Sequence, residues 1–412
     1  MSLRKCRFCD APLKVTFSDL GMSPLSNAYL KPEQLGRHEN FYPLHAWVCE
    51  KCLLVQLEQF EPPEQIFTDQ YAYFSSYSDT WLEHSRVYVD YMMKRFGFGP
   101  KHLVVEVASN DGYLLQYFVQ RGVPVLGIEP AANCAMAAEK KGVPTMTRFF
   151  GMRTADDLAA QGKKADLLLG NNVLAHVPDL NDFVRGMKRL LAPGGVITME
   201  FPHLLTLIEQ NQFDTIYHEH FSYFSFLTVE KVFAHHGIAL FDVEELPTHG
   251  GSLRIFGRHR EDASKAASDR AAALKDKEQR AGLDAIGAYA AFDDKVKRTK
   301  RRLLEFLVSI KNDGKRIVGY GAPAKGNTLL NYCGVRSDFL DFTVDRSPHK
   351  QGCYLPGTRI PVFHPDKIRD ARPDYVLILP WNIRDEIMQQ IAYVRDWGGR
   401  FVVPIPQVTV LP

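Results

Sequence analysis

From residue 102 onward, short apolar runs alternate with turn residues and with stretches whose apolar positions recur every three or four residues. "HLVVEVASNDGYLLQYF" opens as an apolar run, turns at Asn110, Asp111 and Gly112, and continues with helical spacing. "VPVLGIEP", "ADLLLGNNVLAHVPD" and "GGVITMEFPH" repeat the strand pattern, with helical stretches such as "NDFVRGMKRLLAPGG" between them. This alternation predicts a parallel, doubly wound α/β sheet. "GIALFDVEELPTHGGSLRIFGRH" then holds two strand patterns with no helix between, which predicts an antiparallel edge. After Arg258 the chain turns to Ala, Lys, Asp and Arg with few turn residues until Gly314. Tyr289, Phe292, Val296, Leu303, Leu307 and Ile310 fall there on one helical face, the mark of a helical connector. "RIVGYGAPAKGNTLLNYCG", "LDFTVDRSPHKQG", "YVLILPWN" and "FVVPIPQ" resume the rhythm as a smaller, Rossmann-like α/β unit. "WLEHSRVYVDYMMKRF" reads as a helix leading into the first sheet. The expected division is a module over 1–75, a central sheet domain over 76–258, a connector over 259–312 and a C-terminal α/β domain over 313–412.

The length of 412 residues fits about two to four such units. A net charge of +2 argues against a nucleic acid as partner, since such proteins carry a basic face or stripe. The densest basic run, "KVKRTKRR" (Lys295 to Arg302), reads as a solvated helix face. No apolar run reaches the 20 or so residues that cross a bilayer, and "MSLRKCRFCD" has no apolar signal region, so a cytoplasmic location without membrane contact is expected.

Of seven cysteines, four form two C-x-x-C pairs, Cys6 with Cys9 and Cys49 with Cys52. Two tight knuckles bringing four thiolates together make a closed tetrahedral zinc site, suited to a small module that buries little apolar surface. A redox C-x-x-C is the rival, but it needs one pair and opens a helix. Four cysteines leave no open position for catalysis by the metal.

In a doubly wound sheet, ligands sit outside the carboxyl ends of the strands. "VVEVASNDGYLL" occupies that place and lacks G-x-G-x-x-G, which weakens a nicotinamide reading. Glu106 and the turn Asn110, Asp111, Gly112 resemble the first motif of the S-adenosylmethionine-dependent methyltransferases, with Ala108, Ser109 and Asn110 in place of part of its glycine pattern. Glu129 ends the next strand about 20 residues on, where a carboxylate accepts from ribose hydroxyls. Asn171 ends a further strand and suits the methionine or adenosine part. Acidic strand ends that merely aid solubility are the alternative. In "GYGAPAKGNTLL", a glycine turn before a helix places Lys325, Gly326, Asn327 and Thr328 where backbone donors and one ammonium suit a pyrophosphate. A turn that simply needs glycine is the alternative there.

Along nearly its whole length the chain resembles the bacterial C-methyltransferases that act on nucleotide-linked keto-deoxysugars. The resemblance lies in "CRFC" and "CEKC", "YAYFSSYSDTW", "VASNDGYLL", "GIEP", "NNVLAHVPD", "YHEHFSYFS", "THGGSLR" and "GYGAPAKGNTLLNY". It implies S-adenosylmethionine and Zn2+ as cofactors, and a nucleotide-linked keto-deoxysugar, dTDP-linked in one form, held between the central and C-terminal domains. Methylation is then expected at C-3 beside a C-4 ketone. Carbon becomes nucleophilic when a base removes the proton beside the ketone while the enolate oxygen is stabilised. His220 is the expected base, with Glu219 beside it to orient or tune the imidazole. Tyr217 and His176 are expected donors to the oxyanion, and Tyr71 closes the same pocket by resemblance. A zinc-ribbon nucleic-acid methyltransferase lacks support in the charge and in "NNVLAH"; a non-catalytic sugar-nucleotide-binding protein would have lost the base, and His220 is present.

Overall fold

The computed structural model describes residues 4–62 and 74–412; Tyr71 lies outside them. Among the described residues, three sheets organise the chain. β1 (Val15–Ser23), β2 (Tyr42–Val48) and β3 (Val55–Gln56) make an antiparallel N-terminal sheet. Its fourth strand, β9 (Ser222–Tyr223), comes from the middle of the chain and pairs with β3.

The central sheet contains β4 (Val104–Val107), β5 (Val125–Ile128), β6 (Thr145–Met146), β7 (Ala165–Asn171), β8 (Leu191–Pro202), β10 (Ile238–Leu246) and β11 (Ser252–His259). Their order is β10-β11-β8-β7-β4-β5-β6, with β4 to β8 parallel. β4 and β5 are buried at every position, as strands covered by helices on both faces must be. As expected from the sequence, β10 and β11 add an antiparallel pair at one edge of the sheet; what the pattern leaves open is their order. β11 inserts between β8 and β10, pairing antiparallel with both, and β10 takes the edge. The first six residues of β11 are all buried, whereas β10 ends with half-buried Glu244 and exposed Glu245, so burial selects the inner place for β11.

The third sheet runs β14-β13-β12-β15-β16-β17, from β12 (Ile317–Tyr320), β13 (Thr343–Val344), β14 (Val362–Phe363), β15 (Tyr375–Ile378), β16 (Arg400–Val403) and β17 (Thr409–Leu411). All pairs are parallel except β16 with β17. The connector helix Phe292–Asn312 buries Phe292, Val296, Leu303, Leu307 and Ile310, the stripe expected from spacing, and adds Thr299. Phe292 stacks on Phe17 of β1 at 4.6 Å, so one core joins the N-terminal sheet, the connector and the C-terminal domain. Within the basic run, Lys297, Arg298, Arg301 and Arg302 are exposed, while Lys295 bonds the carbonyls of Ile208 and Glu209 at 2.6 and 2.7 Å. Among the described residues no helix is long and apolar enough to cross a membrane.

Candidate active site

The two cysteine pairs fold as matched knuckles. Asp10 and Leu53, each just after the second cysteine of its pair, take left-handed φ values of 57° and 66°. Their N–H groups return to the carbonyls of Cys6 (3.0 Å) and Cys49 (2.9 Å). All four Sγ atoms lie within 4.8 Å of one another, with Cys6 to Cys52 and Cys9 to Cys49 both 3.5 Å. Zinc–sulfur bonds of about 2.3 Å in a tetrahedron require about 3.8 Å between sulfurs, so the donor set fits zinc. No disulfide joins them.

This module reaches the expected base. Val55 pairs with Tyr223 and Gln56 with Ser222, and Leu57 N–H donates to Phe221 O at 3.0 Å. Arg7, inside the first knuckle, donates to Pro178 O (3.0 Å) and to Leu57 O, and its guanidinium lies 5.3 Å over the Phe221 ring. The knuckle therefore touches both chain segments that carry the expected catalytic groups.

At the carboxyl end of β4 the chain turns through Ala108, Asn110 and Gly112 with φ of 55°, 49° and 74°. The left-handed backbone of a glycine-rich turn is thus reached with two non-glycine residues, of which asparagine tolerates it best. Gly112 is required: a Cβ there would lie 3.1 Å from Val143 Cγ2 and 3.2 Å from Ala138 Cβ. The Glu129 carboxylate accepts from Asn110 N–H and Ala131 N–H, both at 2.9 Å, which ties the ends of β4 and β5 together. Burial raises the pKa of Glu129 and these bonds oppose it. Burial pushes Glu106 well above the usual carboxylate range, with Tyr113 countering through a hydrogen bond. Asp111 pairs with Lys141 at 2.8 Å, and Asn110 Oδ1 accepts from Ser75 N–H at 2.9 Å. Asp111 Oδ1, Ser109 Oγ and Asn171 Nδ2 are buried without a hydrogen-bond partner among the described residues. Buried polar atoms left this way call for a ligand. They lie where β5 and β7 flank β4 on opposite sides, the switch point of the sheet.

Tyr217 to His220 form a turn closed by His220 N–H to Tyr217 O at 2.8 Å. His220 Nδ1 lies 2.9 Å from Thr215 O. A carbonyl only accepts, so Nδ1 carries the proton and Nε2 holds the lone pair. Burial first, then the neighbouring His176, lowers the pKa of His220 well below 6.5, which keeps it neutral. The His176 ring meets that of His220 edge-on at 4.7 Å, and Tyr217 lies 3.9 Å away. Burial brings the pKa of His176 down to about 4, against a hydrogen bond with the Glu219 backbone. The Glu219 carboxylate itself accepts from Asn27 Nδ2 at 2.7 Å, so the group that orients His220 is the Thr215 carbonyl. His218 faces the N-terminal sheet, 3.3 Å from Pro43 O.

Lys325 begins the helix Ala324–Cys333. Its Nζ donates to Asn382 Oδ1 at 2.6 Å and lies 4.5 Å over the Trp381 ring. Burial lowers its pKa and Asp214 opposes this. Asp214 accepts from Trp381 Nε1 at 2.7 Å, and burial pushes its own pKa up to about 6. A Cβ on Gly326 would lie 3.0 Å from Leu379 Cβ, so glycine sets the helix close to the sheet. Asn327 Nδ2 donates to Ser26 O (2.6 Å) and Thr328 Oγ1 to Ile216 O (3.1 Å). Asn327 thus ties the domain to the N-terminal module and Thr328 ties it to the segment that carries His220, while the Lys325 ammonium is held by Asn382 and Trp381. Asp214, Trp381 and Glu200 were not singled out from the sequence and enter through contacts across long chain separations, such as Trp381 Nε1 to Asp214 and Thr248 Oγ1 to Glu200; His249 lies within "THGGSLR", which assigned it no role.

Family models match residues 6–67 as a zinc binding domain, 82–243 as a methyltransferase domain and 247–406 as a C-methyltransferase C-terminal domain. The chain is 36% identical to C-methyltransferase NovU of Streptomyces niveus over 99% of its own length and 96% of that protein. A ubiquinone biosynthesis O-methyltransferase of Methylobacterium sp. (strain 4-46) is 32% identical over 24% of this chain and 41% of that protein. The magnesium protoporphyrin IX methyltransferase of Synechocystis PCC 6803 aligns over 43% of this chain and 82% of that one, at 17% identity and a TM-score of 0.34. With the four-cysteine cluster, the full-length likeness and all three domain matches agreeing, the chain belongs to the S-adenosylmethionine-dependent C-methyltransferases and uses S-adenosylmethionine and zinc.

Proposed function

We propose that the protein methylates C-3 of a nucleotide-linked 4-keto-deoxysugar through an enolate generated by His220. The observation that carries this is the tautomer of His220: Nδ1 is committed to Thr215 O, so a neutral Nε2 lone pair is available as base. Nε2 takes the proton from C-3 and the C–H electrons enter the enolate. With S-adenosylmethionine held by the strand-end residues, C-3 would form the new C–C bond as the methyl–sulfur bond breaks to give S-adenosylhomocysteine, and His220 would release its proton to solvent. The bound cofactor supplies an electrophilic methyl; positioning does much of the rest.

Tyr217 and neutral His176, both beside His220, are the groups to donate to the enolate oxygen. Glu219 anchors the turn to the N-terminal module through Asn27. Glu106, Asn110, Asp111, Glu129 and Asn171 surround the cofactor, with Glu129 on the ribose. Lys325 and the backbone at Gly326 face the pyrophosphate, while Asn327 and Thr328 hold the domain in place. The division of labour follows: zinc module for positioning, central domain for cofactor and base, C-terminal domain for the nucleotide. The test is transfer from methyl-labelled S-adenosylmethionine to a panel of nucleotide-linked 4-keto-6-deoxysugars, read by NMR. Label on C-3 is the expected result; label on oxygen or nitrogen, or none on any member, overturns the reading.

A further inference from the structure

The turn Thr248–Gly250 joins β10 to β11 and carries a third histidine toward the site. His249 takes φ 55° and ψ 18°, a left-handed conformation uncommon outside glycine. Such a conformation persists where its surroundings fix it, and here they do on both sides. Before it, Thr248 Oγ1 donates to Glu200 Oε1 at 2.8 Å, and Glu200 is itself held by His84 Nε2 (3.0 Å) and Arg254 Nη2 (2.9 Å). After it, Gly250 O accepts from Gln212 Nε2 at 2.8 Å.

The side chain so presented is exposed, yet it stands among the groups already described. Asn172, next to the strand-end Asn171, places Nδ2 2.9 Å from His249 Nε2, and the Trp81 ring lies 5.2 Å away. An amide nitrogen only donates, so Nε2 accepts and Nδ1 carries a free N–H. Asn172, beside the expected cofactor residue Asn171, and Trp81 therefore flank His249. Next to it in the turn, Gly250 packs on Trp381, whose Cη2 would lie 2.8 Å from a Cβ there and whose ring carries the Lys325 ammonium at 4.5 Å. With Nε2 accepting from Asn172, the imidazole is neutral and a donor at Nδ1.

We infer that His249 is a substrate-contacting residue: its Nδ1–H donates a hydrogen bond to an oxygen of the sugar and orients the reacting carbon toward the methyl group. This rests on the reading of His220 as base, and the two are separable because each has its own variant and readout. His249→Gly keeps the left-handed backbone without strain and removes only the imidazole. Its melting temperature is expected to equal or exceed that of the wild type, with unchanged S-adenosylmethionine affinity by calorimetry. Its kcat/KM on the keto-sugar is expected to fall about tenfold to a hundredfold, the loss of one hydrogen bond to substrate, and free imidazole is expected to restore part of it. His249→Asn, which also tolerates this backbone, serves if the glycine variant does not fold, and is expected to lose the same activity. Wild-type turnover in either variant overturns the inference. So does a loss in folded His249→Gly that imidazole does not relieve, because the turn would then act through its backbone alone. Failure of the His220 reading shows instead as undiminished proton exchange in His220→Asn, whatever His249→Gly does.

Discussion

Gly250 sits at φ +90°, where a Cβ would lie 2.8 Å from Trp381 Cη2 and 2.9 Å from Gln212 Nε2. Neither neighbour is free to retreat. Gln212 Nε2 donates to Gly250 O at 2.8 Å, and Trp381 Nε1 donates to Asp214 at 2.7 Å. Gly250→Ala therefore carries two costs. Left-handed backbone for an L-residue costs about 1–2 kcal/mol, and forcing a methyl into a filled space costs about 1–3 kcal/mol. The sum is about 2–5 kcal/mol. Gly194 at φ +75°, with nothing within 4 Å of its Cβ position, supplies the control for the first cost alone. Urea unfolding of Gly250→Ala is expected to show a deficit about 1–3 kcal/mol beyond that of Gly194→Ala. Turnover should also fall, since the adjacent His249 and the Lys325 platform on Trp381 move together. Equal stability of the two variants would refute the packing argument.

In Glu129 each carboxylate oxygen accepts from one backbone N–H, and Glu129→Gln turns one of those oxygens into an NH2 donor that faces an N–H. S-adenosylmethionine affinity by calorimetry should fall by about 1.5–3 kcal/mol, and an unchanged Kd removes Glu129 from the cofactor site. Cys49→Ser is expected to lose its one zinc per chain in metal analysis and to melt at lower temperature, because a closed four-thiolate site contributes folding energy; full zinc content contradicts the site. Asp214 binds its proton more tightly folded than unfolded, at about 6 against an ordinary 3.8. Between those values the folded state keeps a proton that the unfolded chain has lost, so this contribution is present in full below about pH 4 and is lost as pH rises to about 6. It amounts to about 3 kcal/mol, and Asp214→Asn should flatten urea-unfolding free energy over that range; a slope equal to the wild type's counts against it.

The elements that local pattern controls were legible. The connector stripe from Phe292 to Ile310, the strand rhythm and the two C-x-x-C knuckles each depend on spacing within one segment, and spacing is what a sequence displays. The insertion of β11 between β8 and β10 was not, because adjacency in a sheet follows from burial on both faces of β11. Nor was β9 joining the N-terminal sheet, where Val55 pairs with Tyr223; that pairing is set by the packing of one unit against another. "YHEH" shows both limits at once: His218 and His220 share a motif, yet one turns to Pro43 and the other to Thr215. Glu219, adjacent to the proposed base in sequence, bonds Asn27 across 192 residues. His249 stood inside "THGGSLR", but a lone histidine in a loop carries no chemical signature, so the motif gave it no role.

Proton exchange without cofactor tests the central chemistry most directly. The keto-sugar is incubated with the protein in deuterated water, without S-adenosylmethionine, and the proton beside the ketone is followed by NMR. Because Nε2 of His220 is an unprotonated base with its pKa held well below 6.5, wild-type exchange is expected to persist below pH 6.5. In His220→Asn, which keeps size and polarity but has no base, it is expected to fall by about 10² to 10⁴. Exchange that continues undiminished in His220→Asn contradicts the assignment of His220 as the base.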